Sequence, residues 1–135
     1  MTRKVLIVSD SELVRMRVVE ALAAMRPGWA CAEAGSADEA HAIAEDRPID
    51  VAFLDFELPG GGGLRLAVEL RARQPSLIVG ILADARWGRI RPGAVGLRAA
   101  FLPSPLTETA LGAFLDAALP AEQPSEQDLL PAQGA

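Results

Sequence analysis

The sequence contains few of the residues on which several classes of protein depend. Cysteine occurs once in 135 residues, at Cys31, which excludes an internal disulfide and gives no sign of an oxidising compartment. Aromatic residues make up only 4% of the chain, so the core must be aliphatic. No apolar run approaches the roughly 18 residues of a membrane helix, and the sequence therefore predicts a cytoplasmic protein that does not enter a membrane.

Positive charge is scarce as well. The 13 Lys and Arg residues are outnumbered by 18 Asp and Glu residues, which gives a formal net charge of -5. A domain that binds nucleic acid is normally basic, so we predict no direct contact with nucleic acid. Residues 121–135 carry three acids and no Lys or Arg, and Pro124 and Pro131 interrupt them. This composition predicts a disordered acidic tail after a single domain at residues 1–120.

Two short apolar runs each lead into an acidic residue. Residues 51–54 are followed by Asp55, and residues 5–8 are followed by Ser9 and Asp10. Short, continuous apolar runs are typical of strands that are buried on both faces, as in parallel sheets. Ligands of open α/β sheets bind at the carboxyl ends of the strands. The two acids are therefore expected to share one site.

Strand and helix patterns alternate along the whole domain. Five strands joined by helices predict right-handed crossovers and an α/β fold, a doubly wound parallel sheet with helices on both faces. In the strand order 2-1-3-4-5, the first and third strands are neighbours at the switch point, so Asp10 and Asp55 would face one crevice. Gly and Pro residues make a helix within residues 84–96 doubtful. Strands are predicted over residues 5–8, 29–34, 50–55, 77–83 and 99–102, and helices over 11–25, 36–47, 63–74 and 107–118.

The same patterns predict where individual side chains lie. The spacing of apolar residues in the third helix places Leu64, Ala67 and Val68 on its inner face. His41 is expected on the outer side of the second helix, because a lone histidine forms neither a metal cluster nor a catalytic triad. Cys31 is expected in the core, where unpaired cysteines most often lie.

Three segments resemble the strand signatures of response-regulator receiver domains, including that of the chemotaxis receiver. Residues 4–15 (KVLIVSDSELVR), 51–60 (VAFLDFELPG) and 101–105 (FLPSP) resemble the first, third and fifth strand signatures. The resemblance extends over about residues 3–119. It implies a five-stranded flavodoxin-like receiver fold and the function of a signalling domain in a two-component phosphorelay, not of an enzyme.

The resemblance also implies a role for each acid. Asp55 matches the phosphoacceptor, which receives a phosphoryl group from a histidine kinase or a phosphotransfer protein. Mg²⁺ would be held by Asp10, by Asp55 and by the backbone carbonyl of Glu57. The chemistry suits these residue types, since a carboxylate can attack phosphorus and Mg²⁺ offsets the repulsion between the two negative groups.

Three positions depart from the usual receiver pattern. Receivers usually have a second acid after the first strand, a hydroxyl residue at the end of the fourth and a lysine after the fifth. The corresponding residues here are Ser9, Leu82 and Ser104, and the only lysine in the chain is Lys4. A missing lysine removes a charge-assisted contact of roughly 1.5 to 3 kcal/mol. The aromatic switch position is retained as Phe101.

One local basic stretch contains an aromatic residue. It is made of Arg86, Trp87, Arg89, Ile90 and Arg91. Trp and Arg are enriched at the energetic centres of interfaces, so this stretch is a candidate surface for a downstream protein partner, against the alternative of a solvated helix face. Whether the protein forms a homodimer is left open by the sequence.

Three functional hypotheses follow. The first is a receiver that is phosphorylated on Asp55 with Mg²⁺. The second is an atypical pseudo-receiver that binds partners independently of phosphorylation, because of the substitutions at Ser9, Leu82 and Ser104. The third, more remote, is a Mg²⁺-dependent phosphatase with Asp55 as nucleophile and Glu57 as acid.

Overall fold

The structure, a computed structural model, describes residues 2–84 and 99–119. These ranges contain five strands and four helices in alternation, apart from the step between the last two strands. The questions of a helix within residues 84–96, of the domain end at residue 120 and of the tail at 121–135 fall outside the described residues, Asp84 excepted. The elements are β1 (Lys4–Val8), α1 (Glu12–Met25), β2 (Ala30–Ala34), α2 (Ala37–Asp46), β3 (Val51–Asp55), α3 (Gly62–Arg73), β4 (Ile78–Ala83), β5 (Ala99–Pro103) and α4 (Glu108–Ala118).

The strands form one sheet in the order β2-β1-β3-β4-β5, and every neighbouring pair is parallel. The predicted doubly wound fold and its strand order are therefore confirmed. β1 and β3 are neighbours, with Val8 opposite Leu54 in the register. This pairing brings the residues that follow the two apolar runs to the same edge of the sheet.

Of the helices that the structure describes, two cover each face of the sheet. Side chains of α2 and α3 pack on one face with alternate residues of the strands, and side chains of α1 and α4 pack on the other. The core is largely aliphatic, as predicted, and its largest fully buried side chain is Phe53. The Phe53 ring meets Phe114 of α4 edge-on, with centroids 5.8 Å apart. Among the described residues, no helix is long and apolar enough to cross a membrane.

Three of the helices begin at a hydroxyl residue that caps them. The side chains of Ser11, Ser36 and Thr107 each accept a hydrogen bond from a backbone N–H three residues later. The helix α3 differs, because its N-cap is Gly61, with a φ of 119°. A positive φ is strained for residues other than glycine, so the start of α3 depends on glycine.

The predicted inner face of α3 was partly wrong. Ala67 is buried, but Leu64 is 37% exposed and Val68 is 71% exposed, whereas Leu66 and Leu70 are in the core. Both apolar stripes satisfy helical spacing. The buried stripe is the one with Leu66 and Leu70. The first turn of α3 packs closely against the end of β3, and this contact fixes the rotation of the helix.

The expectations for His41 and Cys31 were also wrong. The His41 side chain faces α3, where its Nε2 lies 2.8 Å from Glu69 Oε1, and it is only 27% exposed. Cys31 is exposed, because β2 is an edge strand that has a neighbouring strand, β1, on one side only. Partial burial of the thiol, with the negative charge of Glu33 as a second cause, raises the pKa of Cys31 above its usual value.

Candidate functional site

Asp55 is the last residue of β3 and lies at the carboxyl edge of the sheet. Residues 51–54 are completely buried, which fixes the position of the strand end. Asp55 pairs with Leu82 of β4, and the N–H of Phe56 donates a 2.9 Å hydrogen bond to the Leu82 carbonyl. The Asp55 side chain is partly exposed, so it remains accessible from solvent while its backbone is held by the sheet.

Both oxygens of the Asp55 carboxylate accept a hydrogen bond. The Ser9 hydroxyl donates to Oδ2 at 2.8 Å, and the backbone N–H of Glu57 donates to Oδ1 at 3.0 Å. The first bond crosses from β1 to β3, and the second closes a turn after β3. Two donors on different segments fix the orientation of the carboxylate before any ligand binds.

Ser9 is itself held from several directions. It is 0% exposed, its backbone N–H donates to the Ala34 carbonyl, and its own carbonyl accepts a 2.7 Å hydrogen bond from Arg15 Nη1. The Ser9 hydroxyl also accepts a hydrogen bond from the N–H of Ser11, at 3.0 Å. Sequence reasoning identified Ser9 only as a substitution. The signal for its contact with Asp55 is the strand register, in which Val8 lies opposite Leu54.

Asp10 and Glu57 lie on the exposed side of the same edge. Asp10 follows Ser9 directly and makes no hydrogen bond or ion pair with the residues that the structure describes. In the described ranges, no three His, Cys, Asp or Glu side chains are grouped to hold a metal ion. Mg²⁺ needs only one or two carboxylates, because water fills most of its octahedron. Asp10, Asp55 and the Glu57 carbonyl therefore fit Mg²⁺ in the kind and number of their donors.

The glycines after β3 shape the loop beside Asp55. Gly60, Gly61 and Gly62 have φ values of 83°, 119° and 80°. A Cβ on Gly63 would lie 2.5 Å from the Asp55 carbonyl oxygen, so the start of α3 touches the backbone of the acceptor candidate itself. The glycines thus allow the backbone of the loop beside Asp55 to turn tightly into α3.

The other two substituted positions lie on a groove beside this site. Ser104 follows β5, and its N–H donates to the Ala83 carbonyl at 3.0 Å. The groove has a volume of about 310 Å³ and is mainly apolar. Arg17 reaches it from α1, and the Arg17 side chain makes no hydrogen bond or ion pair with the described residues. The lining residues are Leu13, Val14, Arg17, Val18, Leu82, Asp84, Ser104, Pro105 and Leu106.

The retained aromatic position contacts the loop after β3. This contact lies on the face of the sheet that α2 and α3 cover, opposite the face of the groove. Phe101 of β5 meets Phe56 edge-on, with ring centroids 6.1 Å apart and planes at 67°. Phe56 directly follows Asp55, so the aromatic side chain on β5 is linked to the loop by one ring contact. The candidate partner surface at Arg86, Trp87, Arg89, Ile90 and Arg91 lies outside the described residues.

Comparison with known proteins agrees with this geometry. The family model of the response regulator receiver domain matches residues 5–87, which is more than half of the chain. The chain belongs to this family. Its resemblance to receivers and its assignment to two-component signalling are confirmed. As a class, receivers are signalling domains that interact with histidine kinases or phosphotransfer proteins and bind Mg²⁺ at the phosphorylation site.

Two curated regulators and one solved structure illustrate the similarity. The DNA-binding transcriptional activator DevR/DosR of Mycobacterium tuberculosis is 42% identical over 74 residues, which cover 55% of this chain and 34% of that protein. The phosphate regulon transcriptional regulatory protein PhoB of Pseudomonas aeruginosa is 34% identical over 80 residues, covering 59% and 34%. The chain thus spans about a third of the length of these relatives.

The solved structure is a CheY-like receiver domain protein from Methanospirillum hungatei. It is similar to this chain with a TM-score of 0.71 and 19% identity, over 91% of this chain and 98% of the other. At this identity the likeness shows the fold alone. It agrees with the sheet order and with the helices on both faces.

Proposed function

We propose that Asp55 is the phosphoacceptor of this receiver. The observation that carries the proposal is the carboxylate itself, which lies at the switch point of the sheet and is oriented by hydrogen bonds from Ser9 and Glu57. A nucleophile that is already oriented loses little freedom when the donor approaches. Asp10 adds the second carboxylate that the family places at this edge.

The proposed reaction is the transfer of a phosphoryl group from a histidine of a kinase or a phosphotransfer protein. An oxygen of the Asp55 carboxylate attacks phosphorus, the O–P bond forms and the P–N bond breaks. The electron pair of that bond stays on the imidazole of the donor, which takes up a proton. Magnesium bound by Asp10, Asp55 and the Glu57 carbonyl would supply the positive charge that the phosphoryl oxygens require.

The output of the protein is proposed to be contact with a downstream protein. The basic stretch with Trp87 supports such a surface by its composition. The names of the two curated relatives describe transcriptional regulators, whereas the net charge of this chain is -5. We therefore propose a protein partner for the chain, and not direct binding to DNA.

The pseudo-receiver is the second candidate, and it is not favoured. Leu82 and Ser104 support it, because neither can make the usual contact with a phosphoryl group. The arrangement of Ser9, Asp55 and Glu57 supports phosphorylation instead, since an unused acceptor would need no oriented carboxylate. The phosphatase hypothesis is not favoured by the family assignment.

The test is the intact mass of the protein after incubation with Mg²⁺ and acetyl phosphate. We expect one phosphoryl adduct on the wild type and none on Asp55→Asn. The matched control is Asp50→Asn, which changes an acid just before the same strand, where its carboxylate accepts a hydrogen bond from the Lys4 N–H. This variant should form the adduct normally. Absence of any adduct, with acetyl phosphate and with a histidine-phosphorylated donor protein, would count against the proposal.

A further inference from the structure

The Ser9 hydroxyl has only one direction in which to donate its proton. Its oxygen accepts the N–H of Ser11 at 3.0 Å, and its closest carboxylate oxygen is Asp55 Oδ2 at 2.8 Å. Ser9 is 0% exposed, so water does not compete for the hydroxyl. A hydroxyl that accepts from a backbone N–H directs its own proton to the remaining partner. Ser9 is therefore a fixed donor to Asp55.

The replacement of an acid by serine changes the charge of the site. A carboxylate at position 9 would repel the Asp55 carboxylate and any incoming phosphoryl group, and a divalent cation would have to offset both repulsions. Serine removes one negative charge and adds a hydrogen-bond donor. The proposed Mg²⁺ site then has two carboxylate ligands, Asp10 and Asp55, in place of the three that the usual receiver pattern would give.

On the basis of the proposed function, we propose that Ser9 is a positioning residue that takes over part of the role of the metal ion. Its hydroxyl holds Asp55 Oδ2 in the orientation for attack, so the acceptor is arranged whether or not Mg²⁺ is bound. Two consequences follow. The site binds Mg²⁺ more weakly than a site with three carboxylates, and its phosphorylation rate therefore saturates at a higher Mg²⁺ concentration.

Three variants of Ser9 separate positioning from metal binding. Ser9→Ala removes the hydroxyl, Ser9→Thr retains it, and Ser9→Asp adds the third carboxylate. We expect Ser9→Ala to slow phosphorylation by acetyl phosphate at least about tenfold at saturating Mg²⁺, which is the lower end of the range for one hydrogen bond to a charged group. The Kd for Mg²⁺, measured by calorimetric titration of the unphosphorylated protein, should change less than about twofold, because the acid ligands remain.

The other two variants should move in different directions. Ser9→Thr should recover the rate to within about threefold, since it restores the donor. Ser9→Asp should tighten the binding of Mg²⁺ at least about tenfold and make the rate saturate at a correspondingly lower Mg²⁺ concentration. The matched control is Ser36→Ala, which removes the capping hydroxyl of α2 and should leave the rate and the Kd unchanged.

A readout without phosphorylation separates this inference from the proposed function. The ¹³Cγ resonance of Asp55 in the unphosphorylated, Mg²⁺-free protein should move in Ser9→Ala and return in Ser9→Thr. If the wild type forms no adduct but this pattern is observed, the proposed function fails and the positioning of Asp55 by Ser9 remains. An unchanged resonance in Ser9→Ala, or a Kd for Mg²⁺ that rises as much as the rate falls, would overturn the inference.

Discussion

The two halves of the carboxyl edge of the sheet differ in chemistry. The acceptor side, at the ends of β1 and β3, contains Ser9, Asp10 and Asp55, and hydrogen bonds hold the buried Ser9 and the partly exposed Asp55. The groove side, at the ends of β4 and β5, contains Leu82 and Ser104 and is mainly apolar. The acceptor side offers polar groups to a charged ligand. The groove side lacks the hydroxyl and the lysine with which receivers usually contact a phosphoryl group.

This difference separates two functions that receivers normally combine. The acceptor side needs only an oriented carboxylate and oxygen donors for a cation, and it has both. The groove side would have to convert a new phosphoryl group into a movement, yet Leu82 has no hydroxyl and Ser104 has no charge. In the part of the chain that the structure describes, a ring contact between Phe56 and Phe101 links the loop after Asp55 to β5. We therefore expect the proposed acceptor chemistry to be retained without the usual coupling.

The largest expected effect is on the free energy of unfolding, and it concerns a glycine on the acceptor side. A Cβ at Gly63 would lie 2.5 Å from the oxygen and 3.0 Å from the carbon of the Asp55 carbonyl, both backbone atoms that cannot turn away. We expect Gly63→Ala to lower the free energy of unfolding by about 2 kcal/mol or more, because overpacking outweighs the gain in helix propensity. Unfolding in urea measures this change.

The matched variant is Gly80→Ala, in the middle of β4, the strand that leads to the groove side. Its Cβ would meet Leu102 Cδ1 at 2.7 Å and the Phe53 ring at 3.2 Å, and the leucine methyl can move. The loss should be about 1 kcal/mol or less. If Gly80→Ala were the more damaging variant, the acceptor side would not be the more tightly constrained half.

The second effect is a gain of function on the groove side. Ser104→Lys supplies the cation that the family usually has after the fifth strand. A charge-assisted contact of about 1.5 kcal/mol corresponds to a rate of phosphorylation by acetyl phosphate that is roughly tenfold higher. Ala113→Lys adds the same charge on the exposed side of α4 and should leave the rate nearly unchanged. If both variants raised the rate equally, the increase would result from the net charge and not from the position of the lysine.

A smaller effect is expected from Arg17, the cation that lines the groove from α1. Its side chain is exposed, so its field at the acceptor side is screened by water. Arg17→Ala should lower the phosphorylation rate about two- to threefold at low ionic strength, and this difference should disappear in high salt. Arg47→Ala removes a charge at the end of α2 and should not change the rate. A salt-independent loss in Arg17→Ala would contradict this account.

The sequence was sufficient to predict the sheet and the edge where the acids meet. Both follow from short-range patterns, since buried parallel strands are continuous apolar runs and their connections have one handedness. Asp55 could be located because a strand end is visible in the sequence. The roles proposed for Asp10, Asp55 and Glu57 remain predictions.

Features that depend on register or rotation could not be predicted. The contact between Ser9 and Asp55 requires Val8 to lie opposite Leu54, and no residue type encodes that pairing locally. The rotation of α3 was ambiguous, because two apolar stripes have helical spacing and only packing decides between them. His41 illustrates the same limit, since its partner lies 28 residues away on another helix.

The smallest effect concerns a pair that belongs to neither half of the site. Glu69 of α3 accepts hydrogen bonds from His41 and Arg65. These bonds, that from His41 most strongly, lower the pKa of the Glu69 carboxyl below the ordinary 4.5. A lowered pKa in the folded state stabilises the protein above pH 4.5, and this contribution is lost as the pH falls through the folded value. The urea midpoint of the wild type should thus be slightly higher than that of Glu69→Gln at pH 5.5, and the difference between the two midpoints should shrink at pH 3.5.

The control is adduct formation on Asp55. It should not change in Glu69→Gln, because Glu69 is 39% exposed and distant in the chain from Ser9 and Asp55. A midpoint difference that widened towards low pH would mean that the carboxyl is stabilised in its protonated form, which the hydrogen bonds to His41 and Arg65 do not allow.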